Sequence, residues 1–202
     1  MQARIDRLLR SARIPAKYAD DSFADYIVGR ENAEAVKAAH WMVNCEDRGM
    51  FLYGPRGTGK TKLVAIIANE KARCGHPVLF SSVPDLLADI RSTFGSNTTA
   101  ETMRVVCEAH CLVLDDFGAE RMTEWVGEQL FCILNHRYNE KLQTIVTSNY
   151  SPDDIIGRMA TVDRAGRIID DMQGQRIMSR LYGMCERIEL RGVDCRMKGV
   201  AV

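Results

Sequence analysis

Gly54-Pro55-Arg56-Gly57-Thr58-Gly59-Lys60-Thr61 sets a glycine, four free positions, then glycine, lysine and a hydroxyl residue in one run. Each position has a physical reason. Glycines let the backbone curl until its N–H groups converge on an anion, the lysine reaches the β and γ phosphates of a nucleotide, and the following hydroxyl ligates Mg²⁺. The flanks agree. Met50-Phe51-Leu52-Tyr53 reads as a short buried strand, and Lys60 to Arg73 reads as a helix whose N-terminus favours negative charge. A glycine-rich turn without a ligand would not need this strand-loop-helix setting, so the stretch predicts a nucleotide triphosphate site with Mg²⁺.

Outward from that loop, strand and helix patterns alternate. Val78-Leu79-Phe80-Ser81-Ser82, Cys111-Leu112-Val113-Leu114-Asp115 and Thr144-Ile145-Val146-Thr147-Ser148 read as strands, with Arg187 to Leu190 a last one. Helices are expected over Glu31 to Cys45, Asp85 to Arg91, Thr99 to Glu108, Trp125 to Tyr138 and Arg176 to Cys185, and a further one opens at Ser151-Pro152. The apolar runs are too continuous for a sheet with one wet face, which indicates a parallel sheet covered on both sides. Ligands of such sheets sit at the C-terminal strand ends. Gly54, Asp115 and Asn149 each follow a strand end, so three distant segments should meet in one crevice. Ala160 to Gln175, polar and rich in charge and glycine, is expected to be a mobile insertion, and Gly95-Ser96-Asn97 a polar break between helices.

Before the core, Gln2 to Arg13 patterns as a helix with Ile5, Leu8 and Leu9 on one side and Arg4, Arg7, Arg10 and Arg13 at every third position. The arginine stripe is read first as a solvated face. Ala16 to Gly29 is an ordered loop packed on the domain, so residues 1–30 form an N-terminal extension and residues 31–202 the main domain.

The whole chain bounds these readings. Its 202 residues, 46% hydrophobic, suit one core, and 27 basic against 27 acidic residues leave no global field to attract nucleic acid. Any DNA contact must use a local patch. The seven cysteines, at 45, 74, 107, 111, 132, 185 and 195, are odd in number and irregularly spaced, which suits reduced thiols and a cytoplasmic setting. Cys107, His110 and Cys111 fall close enough to suggest a metal, but no fourth ligand follows and buried thiols are the better reading. No run approaches the length of a membrane span.

The chemistry gathers on a few side chains. Asp115, at the end of an apolar strand, is placed to hold Mg²⁺ through its water shell while Thr61 ligates the ion directly. Two adjacent carboxylates at a strand end are costly without a cation, and the second, Asp116, is placed to polarise a water for attack on the γ phosphate. Asn149 is positioned to orient that water. Arg176 and Arg180, four apart on one helix face, are both able to point at one target, where a guanidinium stabilises transition-state charge. Taken alone, a surface salt bridge would serve for either arginine.

The ordered set of Gly54 to Thr61, Leu112-Val113-Leu114-Asp115-Asp116-Phe117-Gly118-Ala119-Glu120, Glu124-Trp125, Asn135-His136-Arg137-Tyr138-Asn139, Thr147-Ser148-Asn149, Ser179-Arg180-Leu181 and Gly192-Val193-Asp194-Cys195-Arg196 resembles bacterial helicase loaders of the DnaC and DnaI type and the related IstB transposition ATPase. The resemblance runs from about Arg4 to Arg196. It implies an AAA+ P-loop ATPase core, an α/β fold whose parallel five-stranded sheet runs 5-1-4-3-2 between helices, with ATP and Mg²⁺ as cofactors. It also implies Asn149 as the first sensor, Arg180 as an arginine finger completing a neighbour's site, and self-association with a replicative DNA helicase and single-stranded DNA as partners. Such loaders carry an added N-terminal domain that grips the helicase, whereas this chain begins almost at the core, as an excised domain or a short variant. It also ends too soon after Arg196 for a helical lid. The wider AAA+ class has glutamate where Asp116 stands, which fits a slow, switch-like turnover. A transposition helper and a P-loop phosphotransferase are the alternatives, and the Asp115-Asp116 pair with Asn149 argues against the latter.

Overall fold

The structure, a computed structural model, describes residues 2–93 and 98–192. Five parallel strands, β1 (Gly49–Tyr53), β2 (Val78–Ser82), β3 (Cys111–Asp115), β4 (Gln143–Ser148) and β7 (Cys185–Glu189), form a sheet in the order β2-β3-β4-β1-β7. Counting only these five, that is the expected 5-1-4-3-2.

Alternation along each strand explains why both faces are covered. Met50 and Leu52 of β1 enter one apolar cluster and Phe51 the other; Val113 opposes Leu112 and Leu114, and Ile145 opposes Val146. The first cluster is closed by α2 (Ala33–Asn44) and α3 (Lys60–Arg73). The second is closed by α4 (Val83–Ser92), α5 (Thr99–Glu108), α6 (Glu124–Asn139), α7 (Pro152–Met159) and α8 (Met172–Met184). The phosphate-loop helix and the helix carrying Arg180 therefore lie on opposite faces of the sheet.

The extension is bound into the first layer. Helix α1 (Gln2–Ser11) packs on α3, and beyond it the Phe80 N–H donates to the Ala12 carbonyl at 2.8 Å, which engages the outer edge of β2. Ala12, Tyr18 and Tyr26 are buried there, and short 3₁₀ turns at Ala16–Tyr18 and Phe23–Asp25 give the loop its order. The helix stops earlier than its arginine pattern predicts because Arg13 turns left-handed, with φ of 56°. Arg13 then pairs with Asp89 across solvent.

One expectation is corrected. Residues 160–175, expected as a mobile insertion before a helix at Arg176, hold regular structure: Thr161–Val162 (β5) and Ile168–Asp170 (β6) pair as an antiparallel hairpin, and α8 begins at Met172 instead of Arg176. Asp163 supplies the missing signal, since it accepts from the backbone N–H groups of Ala165 and Arg167 and from the Arg167 side chain, closing the turn. The expected break Gly95-Ser96-Asn97 and Val193 to Arg196 lie outside the described residues.

Candidate nucleotide-binding site

The loop after β1 has the backbone its glycines predict. Gly54, Gly57 and Gly59 hold φ of 143°, 75° and 90°, in the region where a side chain is strained. At Gly54 a Cβ would also lie 2.1 Å from the Leu190 carbonyl oxygen, so only glycine lets the chain leave the sheet between β4 and the end of β7. Gly59 caps α3, and the helix starts at Lys60 with its first N–H groups turned to the crevice. Thr58 Oγ1 donates to the Pro55 carbonyl at 2.9 Å and braces the loop. The Lys60 ammonium donates to the carbonyls of Gly54 and Pro55 at 2.8 and 2.7 Å, so the cation is held over the loop itself.

Two further segments converge on this loop, one at the end of β3 and one at the end of β4. Thr61 Oγ1 donates to Asp115 Oδ1 at 3.0 Å, and Thr147 Oγ1 donates to the same oxygen at 2.6 Å. Thr147 also accepts the Asp116 N–H at 3.0 Å, and its carbonyl accepts from Phe117 N–H at 2.8 Å. Asn149 Nδ2 then donates to Asp116 Oδ1 at 2.5 Å. The sequence-predicted residues Thr61, Asp115, Asp116 and Asn149 are thus one continuous network with Thr147 as its hub.

Electrostatics favour a cation at this point. Burial pushes the Asp115 carboxyl above the usual carboxylate range, against the lowering effect of the Thr147 and Thr61 hydrogen bonds, and Asp116 next to it pushes the same way. Asp116 is set in place by a left-handed backbone, φ 59°, which an aspartate tolerates better than most residues. Two crowded carboxylates, a hydroxyl and an ammonium over curled glycines form a donor set that suits Mg²⁺ and a polyphosphate. Thr61 and Asp115 would hold the ion, and the loop and Lys60 the phosphates.

Arg176 and Arg180 are not brought to this crevice. Helix α8 runs straight into β7, whose first residue Cys185 pairs with Gly49 at the start of β1, so Arg180 lies toward the opposite end of the sheet from the loop. Its Nε donates to Asn135 Oδ1 at 2.9 Å, and its guanidinium lies 4.9 Å over the Tyr138 ring. Arg176 stacks at 4.1 Å on Phe131. Gly183 allows this close fit, because a Cβ there would meet Tyr138 at 2.5 Å. The motif Asn135-His136-Arg137-Tyr138-Asn139 accordingly has two jobs: Asn135 and Tyr138 present Arg180, while Arg137 turns inward and is fully buried.

Two neighbours of the crevice escaped sequence reasoning. Thr147 was visible only as a hydroxyl before Asn149, and its pairing with Asp115 depends on β3 and β4 lying side by side. Tyr26 approaches the loop from thirty residues upstream, its hydroxyl 3.5 Å from the Gly59 carbonyl, and the next two residues, Ile27 and Val28, leave apolar side chains exposed. An aromatic in a charged loop was the only local signal.

A parallel sheet in this order, with a phosphate loop after β1 and paired carboxylates after β3, defines the AAA+ P-loop class of nucleotide-binding proteins. Within it, the chain belongs to the IstB-like ATP binding protein family, whose model matches residues 1–199. It is 32% identical over 150 residues to the replicative helicase loader DnaI of Bacillus subtilis (strain 168), covering 74% of this chain and 48% of that protein. It is 30% identical over 150 residues to the putative insertion sequence ATP-binding protein y4pL of Sinorhizobium fredii, covering 73% and 56%. The chain therefore spans about half the length of these curated relatives. Among solved structures, a putative primosome component from Streptococcus pyogenes serotype M3 is 28% identical with a TM-score of 0.75, covering 95% of this chain and 97% of that one. The fold is also that of the DnaC helicase loader, at TM-score 0.75 and 24% identity over 88% of this chain and 100% of that one. Among the described residues no helix is long and apolar enough to cross a membrane.

Proposed function

We propose that this chain hydrolyses ATP as an assembly-dependent switch, and that the switch loads a replicative DNA helicase onto single-stranded DNA. The observation that carries the reading is the division of the machinery: Thr61, Asp115, Asp116 and Asn149 form one network, while Arg180 is held ready on the other face of the sheet. A protomer arranged in this way has its own nucleotide crevice, with Lys60 as its cation, but Arg180, the guanidinium assigned to the charge that develops on the transferred phosphoryl group, stands away from it.

Within one protomer, the loop N–H groups and Lys60 hold the polyphosphate, and Thr61 and Asp115 hold Mg²⁺, which offsets phosphate charge when bound. Asp116 polarises the attacking water and takes its proton. Asn149 fixes the carboxylate by donating to one of its oxygens, and Thr147 fixes the backbone that carries it. Ile27 and Val28, next to Tyr26 at the loop, offer apolar surface for the base. Arg180 of a neighbouring protomer completes the site. Hydrolysis then reports that neighbours are in place, which is the property a loader needs.

The family model and the Sinorhizobium relative favour a second reading, in which the same switch serves an insertion-sequence transposase. Turnover measured with single-stranded DNA plus the replicative helicase, and separately with DNA plus such a transposase, decides between them. The loader reading expects stimulation by the helicase and coprecipitation with it when ATP is present; stimulation by the transposase alone would replace it with the second.

A further inference from the structure

At the end of the sheet remote from the phosphate loop, three side chains from three connectors meet. Glu46 lies between α2 and β1, His76 just before β2 and His110 just before β3, and one ligand atom of each lies within 4.8 Å of the others. His76 Nδ1 is 3.4 Å from Glu46 Oε1, and the two imidazole rings stack with centroids 5.9 Å apart and planes 24° apart. A simple ion pair accounts for Glu46 and His76 but not for His110, whose Nδ1 is enclosed by protein with no hydrogen-bond partner.

The backbone under each group is fixed by bonds that do not involve the group. Helix α3 ends in a left-handed Gly75, with Gly75 N–H donating to the Ala72 carbonyl and His76 N–H to the Lys71 carbonyl, both at 3.0 Å. The register Val78 with Cys111 then sets His110 beside His76. Glu46 follows Cys45, whose carbonyl accepts from the buried Lys71 ammonium at 2.8 Å and from Gln143 Nε2 at 2.9 Å. Nearby cations are engaged: Lys71 on carbonyls, Arg73 on Glu70 at 2.7 Å, and Arg4, which lines the same cleft, on the Gly75 carbonyl at 3.5 Å. A cleft of about 460 Å³, lined by His76 and His110, gives the cluster access from solvent.

We propose that Glu46, His76 and His110 form a binding site for Zn²⁺ or a similar borderline divalent ion, with water at the fourth position. Two imidazoles and one carboxylate are a donor set that zinc accepts with one position left open. Tetrahedral coordination asks for ligand atoms about 3.4 Å apart; Glu46 and His76 already stand at 3.4 Å, and side-chain rotation would bring them to the His110 nitrogen from within 4.8 Å. The ion would tie together the entries to β1, β2 and β3. It would sit about 16 Å, the length of a five-residue strand, from the phosphate crevice, and so would not compete with Mg²⁺ there.

The test titrates the metal-stripped full chain with Zn²⁺ by calorimetry in excess Mg²⁺, and with Co²⁺ by absorption spectroscopy. One equivalent should bind with a dissociation constant on the order of micromolar or tighter, and Glu46→Gln, His76→Asn and His110→Asn should each weaken it at least about tenfold. Cys74→Ser and His40→Asn should leave it unchanged, and Zn²⁺ should raise the melting temperature of the unaltered chain but not of Glu46→Gln. If His110→Asn fails to fold by circular dichroism, the Glu46→Gln and His76→Asn variants carry the comparison. No saturable binding, equal affinity in the ligand variants, or a thiolate-to-cobalt charge-transfer band that Cys74→Ser abolishes would overturn the assignment.

Discussion

The hydroxyl of Thr147 donates to Asp115 Oδ1 at 2.6 Å and accepts the N–H of Asp116 at 3.0 Å, so one side chain of β4 positions both acidic residues at the end of β3. Thr147→Val keeps the shape while leaving a buried carboxylate oxygen and a backbone N–H without that partner. We expect a loss of about 1–3 kcal/mol in urea unfolding together with weaker Mg·ATP binding by calorimetry. Normal values in both measurements would mean that Thr61 alone suffices to hold Asp115.

Lys60→Ala and Asp115→Ala should each abolish measurable Mg·ATP binding without collapsing the fold. Both side chains are buried at the crevice, but neither belongs to an apolar cluster. Calorimetric titration beside a thermal melt checks this. Unchanged affinity in both variants would remove the crevice from consideration.

Asp116→Asn should bind ATP normally and turn it over about a hundredfold more slowly or worse. Asparagine is the right substitution because it tolerates the left-handed backbone at this position, φ 59°, whereas alanine would add strain to the loss of charge. Asn149→Ala, which frees Asp116 Oδ1, should also slow turnover at full binding. A phosphate-release assay under saturating ATP makes the comparison, and undiminished rates would point to another base.

Arg180→Ala should spare ATP binding in the isolated protomer and remove assembly-stimulated turnover, where an arginine finger contributes about 10³-fold or more. Mixing Lys60→Ala protomers, which lack a working crevice, with Arg180→Ala protomers, which lack the finger, should restore part of the activity. If light scattering confirms mixed assemblies and activity stays absent, Arg180 does not act across an interface.

Arg137→Met tests the buried frame behind the finger. The Arg137 guanidinium donates to the carbonyls of Val106, Cys107 and Ala109 at the end of α5, to the Gln143 carbonyl and to Thr144 Oγ1. Burial draws its pKa down to about 10, so it stays charged at neutral pH against helix-end carbonyls that favour a cation. Methionine fills the volume but strands those acceptors, and we expect a loss of about 3 kcal/mol in urea unfolding. Arg137→Lys should not restore it, because an ammonium lacks the planar fork. A change below 1 kcal/mol in the methionine variant would show that water or rearrangement replaces the fork.

Much of this was legible in the sequence, for reasons that particular residues make plain. The phosphate loop is a local backbone requirement, so Gly54, Gly57 and Gly59 announce it without knowledge of the rest of the fold. Asp115 and Asn149 stand out in the sequence because strand ends are marked by where apolar runs stop. What escaped reading depends on neighbours distant in sequence: Thr147 on the pairing of β3 with β4, Tyr26 on the packing of the early loop against α3, and His110 on the pairing of β2 with β3. In the sequence His110 groups with Cys107 and Cys111, its neighbours in the chain, whereas alternation along β3 sends Cys111 into the core and leaves His110 facing His76. The 161–170 hairpin was missed because its strands are short and exposed, with no apolar face to give them a period.

If Arg180 serves a neighbour as proposed, helix α3 on one face of the sheet and α8 on the other give each protomer two unlike flanks, one to receive a guanidinium and one to offer it. Joining unlike flanks is head-to-tail association, which closes into a ring only if the turn per step allows and otherwise grows as a helical row. An open row of n protomers then holds n − 1 complete sites, with an unserved crevice at one tip and an idle Arg180 at the other. Turnover per protomer would climb gradually with row length instead of appearing at a single step. Such a row also has a direction, so a strand with 5′ and 3′ ends laid along it would be gripped in one sense and not the other.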